Sequence, residues 1–211
     1  MSDAAHLWLY FAVVFGVVVL PGLDMAFVLA SSLTGGRRAG MAAVAGIVAG
    51  GVCHMVMASL GLAVVLRVAP RAFNALLVAG TLYVAWIGVS LWRGGASLGN
   101  TSGTVPRSGL ATFRQGALTS LLNPKAYVFM LAIFPQFVRP ERGPIWEQTF
   151  VLWLITAATQ IGVYGVLGLV AARVRACLAA TPSAGAAAGR AVGALLILAA
   201  VFTGWEGWRA G

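Results

Sequence analysis

Charge is scarce in this chain. Only 9% of its 211 residues are charged and just five are acidic, whereas a soluble domain usually has about a quarter of its residues charged. That shortage excludes an ordinary water-soluble fold. Cysteine is nearly absent as well. Cys53 lies within an apolar block and Cys177 in an expected loop, with no CxxC or similar spacing between them, so both read as small apolar residues. A thiol-electron conduit needs paired cysteines and has none here. No catalytic triad, HExxH or phosphate-binding glycine loop appears, so the chain is read as no enzyme, with no cofactor and no resident metal. No Lys or Arg precedes the first apolar block. That block is too long for a signal-peptide core and is expected to stay in the mature chain.

What is present is apolar. Apolar residues make up 60% of the chain, an excess that needs a bilayer as its solvent. The net charge of +9 would suggest nucleic acid in a soluble protein. Here the basic residues lie between apolar blocks, where they suit lipid headgroups and set orientation. Thirteen of the fourteen are arginine, and Lys125 is the single lysine.

A bilayer core of about 30 Å takes roughly 20 apolar residues per helix. Six blocks qualify: Leu7–Leu33, Met41–Leu66, Phe73–Trp92, Phe113–Val138, Gln148–Ala172 and Ala191–Trp208. The expected fold is an all-α integral membrane protein of six spans. It would form one transporter domain over 1–211, with a first repeat at about 7–92, a flexible Gly/Ser/Thr-rich loop at 93–112 and a second repeat at about 113–208. Eight arginines fall in the loops after spans 1, 3 and 5, at 37, 38, 93, 107, 114, 173, 175 and 190; five fall on the other side, at 67, 71, 139, 142 and 209. The bias makes the first set cytoplasmic and turns both termini outward.

Spans 1 and 4 each carry a proline near the middle, in Leu20-Pro21-Gly22-Leu23-Asp24 and in Leu122-Asn123-Pro124-Lys125-Ala126. With three spans per half, the second half is inverted relative to the first, and broken helices in inverted repeats are a recurring transporter plan. Proline has no N–H and its ring clashes with the carbonyl four residues back. A carbonyl is thus freed in each span, and hydrocarbon tolerates it only against protein or a water-filled cavity. Gly22 adds backbone freedom beside Pro21. Both breaks are therefore expected to face the protein interior.

Asp24 and Lys125 are the charges deep inside blocks, and each costs about 2.5–3.5 kcal/mol at a helix centre. Two readings stand. They form an ion pair that locks the halves, or they hold a zwitterion, with Asp24 near its ammonium group and Lys125 near its carboxylate. Asn123 and Gln160 are placed on the same site, with Pro21, Gly22 and Pro124 shaping it. His54 follows Pro21 by 33 positions and Gln160 follows Pro124 by 36, near-equivalent places in a repeat. His54 is either a proton relay or a hydrogen-bonded packing residue. Asp24 and His54 are the titratable groups at depth to which proton coupling is assigned. Gly46-xxx-Gly50 and Gly162-xx-Gly165-xx-Gly168 suit close helix packing or a homodimer. Trp8, Trp92, Trp146, Trp205 and Trp208 suit the interface belt.

Together these residues resemble a known family. Pro21-Gly22-Leu23-Asp24-Met25, the Gly35-to-Gly40 turn and Ala45-Gly46-xxx-Gly50 are similar to the N-terminal signature of the LysE/RhtB amino-acid exporters. Ala79-Gly80-Thr81-Leu82-Tyr83 with Gly88 and Trp92-Arg93 resembles their third span. Phe113-xx-Gly116, Leu121-to-Ala126 and Phe134-Pro135-Gln136-Phe137-Val138 resemble their fourth. The resemblance implies a multi-pass secondary transporter of the bacterial inner membrane, driven by the proton-motive force and exporting amino acids or close derivatives. Family members usually read Pro-Gly-Pro where this chain has Pro21-Gly22-Leu23, which should leave the first break less rigid. The competing readings are a divalent metal cation exporter and a non-transporting structural or sensory membrane protein. Against the cation stand few oxygen ligands and the charge of Lys125.

Overall fold

The computed structural model describes residues 3–59 and 108–178, together with helical positions scattered between 78 and 92 and between 187 and 205. Among the described residues every regular element is helical. Most of spans 3 and 6, the first part of the central loop with Arg93 and Arg107, and Arg67, Arg71, Arg209 and Trp208 lie outside them.

Helix α1 (Asp3–Val19) ends where Pro21 and Gly22 interrupt span 1. Helix α2 (Leu23–Ser59) resumes at once and carries Asp24 in its first turn, where the helix dipole favours a carboxylate. It is divided at Gly36, whose φ of 72° and ψ of −165° belong to a region open essentially to glycine. The turn expected at Gly35–Arg38 is therefore a single bent residue inside nearly continuous helix. Arg175 Nε donates to the Thr34 carbonyl at 3.2 Å just before that bend.

Helix α3 (Gly109–Leu121) begins four residues earlier than the expected Phe113, because Ser108 caps it by accepting from Ala111 N–H at 3.1 Å. Span 4 breaks where expected. Helix α4 (Pro124–Val128) starts afresh with Asn123 as its N-cap, Oδ1 accepting from Lys125 N–H at 3.0 Å. A π-helical turn (Phe129–Ile133) and 3₁₀ turns (Phe134–Phe137, Pro140–Arg142) carry the chain on to helix α5 (Ile145–Leu178). Cys177 thus sits in the last turn of α5 and not in a loop. The helix outruns the apolar block because long arginine stems at 173 and 175 extend it toward the polar boundary.

Helix α2 packs against both α3 and α5. Gly46, Gly50 and Gly116 make the α2–α3 approach possible: a Cβ at Gly46 would run into the Phe113 carbonyl, and one at Gly116 would come within 2.7 Å of the Ala43 carbonyl. The expected glycine stripe on α5 behaves differently. Gly168 approaches Ser32 Oγ, but Gly162 and Gly165 have no described atom within 4 Å of an added Cβ. Large apolar side chains cover the outside, with Trp8, Trp86, Trp146, Trp205 and Val166 all more than half exposed. Among the described residues, two helical stretches, Leu23–Ser59 and Ile145–Arg175, are long and apolar enough to cross a membrane.

Candidate functional site

The two proline breaks meet. Pro21 frees the carbonyl of Val17, and Lys125 Nζ donates to that oxygen at 3.1 Å and to the Leu20 carbonyl at 2.9 Å. The lone lysine, just past the second break, therefore caps the helix ended by the first. Gly22 leaves it room, since a Cβ there would lie 3.0 Å from Nζ. Pro124 in turn frees the carbonyl of Ser120. His54 Nε2 donates to that oxygen at 3.1 Å, alongside the Asn123 N–H. A carbonyl only accepts, so Nε2 carries the proton in neutral His54 and Nδ1 presents a lone pair. The His54 ring stands edge-on to Tyr127, centroids 4.8 Å apart.

A cavity of about 90 Å³ lies between these groups. Of the residues singled out by sequence, Asp24, His54, Asn123, Lys125 and Gln160 line it. Pro21, Gly22 and Pro124 do not; they set the backbone around it. Pro21 and Leu20 are exposed, so the first break does not face inward as a whole. Its freed carbonyl oxygens are instead met by the reaching ammonium group.

Asp24 is 4% exposed and Asn123 1%. They stand close together, and the Asp24 charge is within electrostatic reach of Lys125. Even so, Asp24 Oδ1, Asn123 Nδ2 and His54 Nδ1 are buried without a hydrogen-bond partner. Buried polar atoms are nearly always paired. Here the Asp24 and Asn123 side chains satisfy each other only incompletely, and His54 Nδ1 has no partner, all around one cavity. Among the described residues, no three His, Cys, Asp or Glu side chains gather as a metal site would require.

Several lining residues were not singled out by sequence. Tyr10, fully buried, bonds Thr156 Oγ1 at 2.9 Å. Tyr164 borders the cavity within electrostatic reach of Asp24. Trp153 also lines it, with Nε1 beside Gly51. Aromatics inside apolar blocks carry no periodic signal that separates a cavity wall from core.

The chain matches the LysE type translocator family over residues 9–207. It is 34% identical over 154 residues to an uncharacterized membrane protein of Vibrio cholerae, covering 72% of this chain and 74% of that one. It is 31% identical over 180 residues to a homoserine/homoserine lactone efflux protein of Salmonella typhimurium, covering 84% and 85%. It is also 31% identical over 139 residues to a leucine efflux protein of an Enterobacter species, covering 63% and 64%. No solved structure matches it.

Proposed function

The chain belongs to the LysE family of translocators, and from that premise we propose that it exports a small amino acid or close derivative across the bacterial inner membrane by proton antiport. The observation that carries the reading is the set of under-satisfied buried polar atoms where the two breaks meet. Asp24 Oδ1 suits the ammonium group of a zwitterion, and Asn123 Nδ2 suits its carboxylate. Lys125 is adjacent and can turn from the span 1 carbonyls toward that carboxylate. The relatives named for homoserine and for leucine support an amino acid as cargo.

The transporter would have six spans in two inverted repeats that rock about this site. The arginine bias would place the Arg37–Arg38 end in the cytoplasm and both termini outside. His54 Nδ1 and Asp24 are the proton acceptors that coupling needs, since each borders the cavity and can titrate. Efflux from cells loaded with candidate amino acids tests the site. Asp24→Asn should remove efflux at normal membrane abundance, and export equal to the parent would overturn the assignment.

A further inference from the structure

The cavity has two unlike ends. The polar end is at the breaks, with Asp24, Asn123 and Lys125. Along α1 from Val17, Val14 lies ~4.5 Å and Tyr10 ~10 Å further from the break, at 1.5 Å per residue. Phe129, Met130 and Phe134 line the cavity with them. The Tyr10 ring sits with centroids 6.1 Å from Phe129 and 6.4 Å from Phe134. The remote end is thus walled by apolar side chains and aromatic rings.

That end contains a hydroxyl pair, but its protons are already placed. Thr156 Oγ1 donates to the Leu152 carbonyl at 3.0 Å. It can then only accept from Tyr10, whose O–H donates to it at 2.9 Å. Neither hydroxyl has a proton left to give. The charged residues that line the cavity, Asp24 and Lys125, are both at the breaks. Among the described residues, a ligand side chain lying toward Tyr10 therefore meets walls that are mostly apolar and no carboxylate for an ammonium head. The volume of about 90 Å³ is also well below the ~300–1,000 Å³ of drug-sized sites.

We infer that the cavity takes a neutral amino acid with an aliphatic side chain of three or four carbons, its zwitterion at the breaks and its side chain lying along Val14 toward Tyr10. This rests on the exporter reading above. Each side-chain methylene placed against this wall strengthens binding about fourfold. A hydroxyl or ammonium group there gives up its water for no more than a lone pair of the Tyr10 or Thr156 oxygen.

The experiment is exchange into proteoliposomes of the full chain, each preloaded with one unlabelled amino acid and supplied outside with the same one labelled. Leucine, norleucine, homoserine and lysine are the probes. The expected result is exchange of leucine and norleucine at concentrations at least tenfold lower than homoserine, with lysine weakest. Val14→Thr changes shape little and adds a hydroxyl to the wall. It should narrow the leucine-to-homoserine preference about tenfold, with unaltered thermal stability in detergent showing that the fold is kept. Homoserine or lysine ahead of leucine would overturn the inference and leave the exporter reading standing, as would a preference untouched by Val14→Thr. Exchange of none of the four by a folded protein would overturn both.

Discussion

Lys125 does at the residue scale what a backbone N–H does in an unbroken helix. It supplies donors to Val17 and Leu20. Lys125→Met keeps most of the stem and removes the donor, leaving the part-buried Val17 oxygen unpaired at about 1–3 kcal/mol and the exposed Leu20 oxygen without its partner. Thermal unfolding in detergent should show a loss of that order, together with loss of efflux. His54 performs the matching task at the Ser120 carbonyl, and its remaining nitrogen separates structure from coupling. In His54→Gln the amide can still donate to Ser120 but cannot titrate. The variant is expected to fold and to exchange substrate across vesicles, while losing accumulation driven by a pH gradient. Full gradient-driven accumulation would remove His54 from the proton path.

At the scale of elements, glycine separates two kinds of helix face. Gly46→Ala pushes a methyl group into the α3 backbone and should destabilise by about 1–3 kcal/mol. Gly162→Ala meets no described atom and is expected to be neutral or to stabilise by up to ~1 kcal/mol. Melting of the two variants side by side checks the contrast. The helix breaks were legible in the sequence because proline acts locally: a missing N–H at 21 or 124 needs no knowledge of the fold. Asp24 and Lys125 also stood out as candidates, since charge is conspicuous in an apolar block. What answers the freed carbonyls was not legible. Lys125 reaches Val17 across 108 positions and His54 reaches Ser120 across 66, and such pairings come from packing. The same holds for Tyr10, Thr156 and Tyr164, which read as ordinary span residues until α1 and α5 come together. Of the three α5 glycines only Gly168 meets a described neighbour, since spacing alone does not say which face finds one.

For the whole molecule, Arg175 bonding to Thr34 brings the end of α5 to the bend beside Arg37 and Arg38, so two of the basic clusters share one end. With Cys53 and Cys177 replaced by serine, Arg38→Cys should react with a membrane-impermeant thiol reagent in inside-out vesicles and not in intact cells. Labelling from outside would reverse the proposed orientation. The scarcity of lysine has a practical consequence. Lys125 is the single side-chain amine in the chain, so a membrane-permeant acylating reagent has one internal target besides the N-terminus, and it lies where the two half-helices meet. Its acylation rate becomes a clock for the release of Nζ from the Val17 and Leu20 oxygens. A mass shift on one tryptic peptide would report how often the junction opens, without an engineered probe.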